Sequence, residues 1–189
     1  CDNYFFVNHN KDRRPGNVVR NVCIDNRGNI WVSAYDEGLA RFNPDTRTIE
    51  MYSNINNQLN FENNNYLHSL IQIKDDILAL GLSNSVEILD IKKNRLLDFE
   101  TFYHIQEPVS NIESLFKRNG SDTLLITTHN YILILDTEKK TSQKVLIRKD
   151  LKNKVGTYFT SIYDTNNNIW VGTPEGILFS TPEFAITKP

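Results

Sequence analysis

The sequence predicts an all-β chain assembled from four copies of one repeat, each copy a four-stranded antiparallel sheet. Three observations predict it. Residues 25–32, DNRGNIWV, lie over residues 164–171, DTNNNIWV, without a gap at an offset of 139, and the only two tryptophans of the chain sit in these two copies. That offset is three times about 46, a period within the range of repeat architectures. Two worn copies fill the space between: ILALGLSNSVEILD at 77–90 and LLITTHNYILILD at 124–136. The third observation is the pattern itself. Short apolar runs rich in Ile, Val, Leu, Tyr and Phe alternate with Asn, Asp and Gly, which is how strands and turns are written. No segment sustains a helical period, so helix is expected to be minor.

Two markers set the register. The Trp position runs Trp31, Ala79, Leu125, Trp170, with spacings of 48, 46 and 45. The end of the following strand runs Phe42, Leu89, Leu135, Phe179, with spacings of 47, 46 and 44. The repeats occupy approximately 18–53, 66–100, 109–147 and 157–182 of a single domain spanning 1–189. The first strand of each is VVRNVCI, YLHSLIQI, VSNIESLF or YFTSIY, and a polar turn follows: DNRGN, KDD, KRNGSD or DTNNN. Second and third strands come next, separated by a short polar break. A turn such as NPDTRT, IKKN or TEKK then leads to a last strand. The fourth repeat has no clear last strand, and YFFV near the start, within residues 4–8, is a candidate to supply it.

Four antiparallel strands per repeat of this length is the signature of a β-propeller blade. One sheet cannot bury both of its faces, so twisted sheets stack and bury apolar side chains between neighbours. Trp31 and Trp170 suit that layer because a large ring fills the gap between two sheets. Gly38 and Gly176 precede the third strand and permit a tight turn there. Asp25 and Asp164 begin the first turn. DTNNN offers oxygen atoms at alternating positions, but no later Glu closes a calcium loop, so each Asp is read as a cap on the turn backbone.

Composition excludes several functions. Net charge is −2 with 39% hydrophobic and 23% charged residues, which gives no reason to expect nucleic acid or an anionic membrane as a partner. No apolar run approaches the roughly 18 residues of a bilayer-spanning helix, and no signal-like segment stands at the start. Cys1 and Cys23 lack zinc spacing. Cys23 reads as a small core residue, and Cys1 as either a lipid-anchored terminus or an artificial boundary. NGS at 119–121 matches a glycosylation acceptor and equally a hairpin tip. His9, His68, His104 and His129 are scattered without metal spacing. No phosphate loop, nucleophile elbow or HExxH is present, so no enzyme, cofactor or metal is expected.

IDNRGNIWVSAYDEGLARFNPDTRTIEMY at 24–52 and YDTNNNIWVGTPEGILFS at 163–180 resemble the two-component regulator propeller repeat, with Trp-Val-Gly-Thr intact at 170–173. The middle copies match in pattern only. The resemblance implies the extracytoplasmic, periplasmic sensor part of a hybrid two-component histidine kinase in the inner membrane, reading an oligosaccharide and relaying to a kinase outside this chain. It also implies further blades, since such propellers usually have seven. The alternatives are a closed four-blade ring, or a protein-interaction scaffold propeller of the cell envelope. A second copy of the chain is a further candidate partner.

Strand alternation places the loops between second and third strands on the same face as the approaches to the first. That face is expected to carry Tyr35, Asp36 and Glu37, then Asn84 between Ser83 and Ser85, then His129 and Asn130, then Pro174 and Glu175. The approaches add Arg13, Arg14, Asn63, Asn64, His104, Gln106, Lys152 and Tyr158. This polar, mixed-charge set suits a hydroxyl-rich ligand.

Overall fold

The computed structural model describes residues 19–34, 38–52, 66–118, 120–145 and 159–181. These residues form three four-stranded sheets and one three-stranded sheet, each ordered as it is written in the chain. The first sheet holds β1 (Val19–Ile24), β2 (Ile30–Ala34), β3 (Gly38–Asn43) and β4 (Thr48–Met51). The second holds β5 (Leu67–Lys74), β6 (Ile77–Leu82), β7 (Val86–Asp90) and β8 (Arg95–Asp98). One short helix, α1 (Phe99–Tyr103), intervenes. The third sheet holds β9 (Ile112–Lys117), β10 (Thr123–Thr128), β11 (Ile132–Asp136) and β12 (Thr141–Val145). The fourth holds β13 (Thr160–Tyr163), β14 (Ile169–Thr173) and β15 (Gly176–Ser180). The sheets are β-propeller blades of an all-β fold.

The chain divides into two compact units. One comprises Cys1–Ser83 and Glu87–Leu97, the other Asn84–Val86 and Asp98–Pro189. Each buries its core between two sheets. In the first, Trp31, Leu39 and Tyr52 pack on Leu67, Leu70, Leu78 and Leu80 of the second sheet. Trp31 has no exposed surface. Its ring lies 5.0 Å from that of Tyr52 in an edge-on arrangement, a geometry favoured by the ring quadrupole. In the second unit, Leu125, Ile132 and Val145 of the third sheet pack on Ile169 and Val171 of the fourth.

Strand pairing refines one expectation. Trp31 stands opposite Cys23 and Arg41, and Leu125 opposite Phe116 and Ile134. Trp170 stands opposite Ile162 and Phe179. Phe42 pairs with Ile30 and Leu135 with Leu124, whereas the residue that pairs with Ile169 is Ser180. Ser180, not Phe179, therefore occupies the place of Phe42. The turn before the third strand is one residue shorter in the fourth sheet: Ala34 pairs with Gly38, but Thr173 with Gly176. Matching one aromatic residue to another hid this step.

The hairpins between third and fourth strands share one construction. Asn43 Oδ1 accepts from the N–H groups of Asp45 and Thr46, and Asp136 Oδ1 from those of Glu138 and Lys139. Asp90 Oδ1 accepts from Lys93. Each turn then closes on a left-handed residue: Arg47 (φ 56°), Asn94 (φ 48°) or Lys140 (φ 56°). A short side-chain acceptor stands in for a backbone carbonyl and fixes the turn.

Helix α1 is capped by Asp98, whose carboxylate accepts from Thr101 N–H at 2.8 Å, and it ends on left-handed His104. Its Phe99 and Tyr103 are buried. Burial pushes the Tyr103 hydroxyl up to about 12.

Candidate functional site

Each sheet has two chemically different ends. In the first and fourth sheets the turn between first and second strands is a closed network. Asp25 Oδ1 accepts from Arg27 N–H and Asn29 N–H, each at 2.9 Å. Its Oδ2 accepts from Asn29 Nδ2 at 2.9 Å and from Trp31 Nε1 at 2.8 Å. Asp164 repeats the arrangement with Asn166 N–H, Asn168 N–H, Asn168 Nδ2 and Trp170 Nε1, the last at 3.0 Å. Gly28 and Asn167 take the left-handed conformation that the turn requires.

Burial works to raise the Asp25 carboxyl, but the hydrogen bonds from Trp31, Asn29 and Arg27 outweigh it and hold it below the ordinary range. At Asp164 the bonds from Trp170 and Asn168 lower the carboxyl to about 2. Both carboxylates are saturated with N–H donors, which fits a structural cap and not a cation site. Neighbouring turns are also tied together. Asn26 Nδ2 donates to Asp75 and Arg27 pairs with Asp76 in the first unit. Arg118 donates to the Asp164 carbonyl and to Asn167 Oδ1 in the second.

The opposite end is built around a defect in pairing. β1, β5 and β9 share a register shift near their start: Asn21 pairs with Ser33 but Val19 with Ala34, Ser69 with Gly81 but Leu67 with Leu82, Ser114 with Thr127 but Ile112 with Thr128; β5 shifts a second time between Gln72 and Lys74. Arg20, His68 and Glu113 are the extra residues, at one and the same register. A bulge bends the strand and re-aims the extra side chain. His68 lies half-exposed between buried Leu67 and Ser69.

Two of these bulges face a matching partner. Ser83 and His129 each follow the second strand of their sheet. Their N–H groups donate to the carbonyls of Tyr66 (2.9 Å) and Asn111 (3.1 Å), the residues just before the first strand. Their side chains then meet the bulge: His68 Nε2 lies 2.8 Å from Ser83 Oγ, and His129 Nε2 lies 2.6 Å from Glu113 Oε1. Glu113 and His129 both remain partly exposed.

Among the expected ligand residues, the structure places His129 against Glu113 and leaves Asn130 exposed beside it, its N–H bonded to Thr128 Oγ1 at 3.3 Å. Asn84 and Glu175 are exposed turn residues of their own sheets. His104 and Gln106 are exposed, but His104 belongs to the end of α1. Tyr35, Asp36 and Glu37 lie outside the described residues. So do Cys1, residues 4–8, Arg13, Arg14, Asn63, Asn64, Asn119, Lys152 and Tyr158. Gly38 and Gly176 take positive φ, 80° and 129°. Trp170, expected in a core, is 39% exposed, because its side of β14 is the face turned away from the third sheet.

Sequence reasoning missed Arg20, His68 and Glu113 as a set. A bulge leaves no residue signature, and each of the three sits inside an apolar run that reads as plain strand.

The comparisons agree with this architecture. Residues 14–36 match the family model described as two component regulator propeller. The extracellular domain assigned to the hybrid two-component system BT4673 of B. thetaiotaomicron is similar in fold, with a TM-score of 0.64 at 19% identity over 92% of this chain and 23% of that one. The corresponding domain of BT3049 from the same organism gives 0.66 at 16% identity, over 93% and 22%. YCF48 bound to D1 peptide gives 0.57 at 14% identity, over 90% and 52%. The chain thus spans under a quarter of the length of the two B. thetaiotaomicron domains. No curated protein matches it in sequence.

Proposed function

We propose, starting from a chain that matches the two-component regulator propeller model, that it is a non-enzymatic part of a periplasmic sensor in a hybrid two-component signalling protein. The ligand is an oligosaccharide, and the signal passes through further blades to a kinase outside this chain. The observation that carries the reading is the family match at residues 14–36, a range that includes the Asp25–Trp31 turn. The likeness in fold to two extracellular domains of such systems supports it. Among the described residues no helix is long and apolar enough to cross a membrane.

The chemistry fits a binding role. The loop-side end of a sheet presents hydroxyl, imidazole, amide and carboxylate groups, and such groups pair with sugar hydroxyls. The test is a thermal-shift screen of the purified chain against neutral and acidic oligosaccharides. A reproducible rise in Tm with one glycan class is expected, and no rise with any of them counts against the reading.

A second reading has one observation in its favour. A structure of similar fold, YCF48, is bound to D1 peptide, so a fold of this type can hold a peptide. Under this reading the protein is a cell-envelope scaffold, and pulldown from a periplasmic extract with a reciprocal capture would favour it.

A further inference from the structure

We propose that the bulge residue of the first strand is the ligand-reading position of a sheet, and that in the third sheet Glu113, held by His129, takes a hydroxyl of a polyhydroxylated ligand. The inference rests on the oligosaccharide reading above and adds the residues that do the reading.

The bulge recurs at one register in three sheets, although the sequences around it differ: VRNVC, LHSLI and IESLF. Each bulge gives up regular ladder pairing at that point. Its repetition therefore marks a fixed geometry and not a local accident. The residue that this geometry displays is polar each time but differs in charge: Arg20, His68 and Glu113. A constant frame with a variable side chain is how a surface changes what it recognises without changing its fold.

The third sheet shows how the displayed group is held. The His129 N–H is anchored on the Asn111 carbonyl, and Asn111 itself is left-handed at φ 57°. The imidazole bonds one carboxylate oxygen of Glu113. Among the described residues no hydrogen bond is found to the second oxygen, Oε2, and the side chain keeps solvent access. A carboxylate with one oxygen fixed and one available is a pre-positioned acceptor for a hydroxyl, and a charged acceptor makes a stronger bond than a neutral one. In the second sheet, Ser83 holds His68 through the equivalent contact, so that position presents an imidazole instead.

The experiment is isothermal titration of the chain with maltohexaose, xylohexaose, mannohexaose, laminarihexaose and a galacturonic acid hexamer. The proteins are wild type, Glu113→Ala, Glu113→Gln, His68→Ala and Lys139→Ala, the last in the hairpin at the other end of the third sheet. Near-UV circular dichroism checks each fold, and the near-isosteric Glu113→Gln keeps the test valid should Glu113→Ala unfold. Where wild type binds a neutral hexamer, Glu113→Ala is expected to weaken it at least tenfold. Glu113→Gln should weaken it less and improve the ratio of acidic to neutral ligand, because the repelling charge is gone. Lys139→Ala should change nothing. Equal binding by wild type and both Glu113 variants overturns the inference and leaves the sensor reading standing. Binding of none of the five probes by wild type counts against both.

Discussion

The two copies of Asn-Ile-Trp-Val make the same hydrogen bonds in opposite surroundings. Asp25 caps its turn and holds Trp31 Nε1, and Asp164 does the same for Trp170. Yet Trp31 is wholly buried against the second sheet, while Trp170 keeps 39% of its surface exposed and stacks on Phe179 at 4.7 Å. In the first copy that stacking place, opposite the Trp, belongs to Arg41, whose guanidinium lies 5.7 Å from the Trp31 ring centre. The capping network therefore does not depend on burial. It is a property of the turn, and the packing is added by whichever sheet lies alongside.

Several substitutions test that separation, beginning with the largest effect. Trp31→Ala empties a filled core site and should cost about 3–5 kcal/mol in urea unfolding, while Trp170→Ala should cost clearly less. Similar losses at the two sites would break the comparison. Asp25→Asn replaces an acceptor with a donor facing Trp31 Nε1 and Asn29 Nδ2, at a cost of about 1–3 kcal/mol for groups left unpaired in a buried place. Asp164→Asn should lose less, because water reaches its partners. Acid sharpens the contrast further. The folded Asp164 carboxyl lies at about 2, below its ordinary 3.8. Its contribution is thus present above about pH 4 and is lost as pH falls toward 2. Trp170 emission, isolated in a Trp31→Phe variant, should change across that window, with reversal on neutralisation. The smallest effect is expected from Arg41→Ala, within about 1 kcal/mol for a partly exposed cation over a ring, read from the same unfolding curves.

The sequence carried the blades because their cause is local. Alternating apolar runs, the Asp-to-Asn turn and the two glycines before the third strand each act within a few residues, and all are visible in the text of 25–42 and 164–179. The pairing of Asp with Trp was less visible. Neither worn copy has a Trp, and neither has the five-residue turn from Asp to Asn; the structure shows why the two losses go together, since the indole N–H needs the carboxylate. The bulges at Arg20, His68 and Glu113 were not legible at all. They arise from pairing between strands, and pairing shifts leave the alternation of a single strand nearly intact. The one-residue step at Phe179 comes instead from the shorter turn before the third strand of the fourth sheet.

The outer hairpins carry a consequence for engineering. Their shape is set by one acceptor side chain at the end of the third strand and one left-handed residue; in the first sheet the residues between, 44–46, are exposed, whereas Ile91 of the second turns into the core. Arg47 and Lys140 hold that conformation without being glycine, so Arg47→Gly relieves local strain of about 1 kcal/mol, while Lys140→Gly also removes the bond from Lys140 Nζ to the Phe102 carbonyl. The tips at Thr46 and Lys139 are correspondingly the places to splice in a tag or a reporter, since exposed, self-contained loop tips tolerate insertion. A sheet could be labelled there from outside while the end that carries its bulge stays untouched.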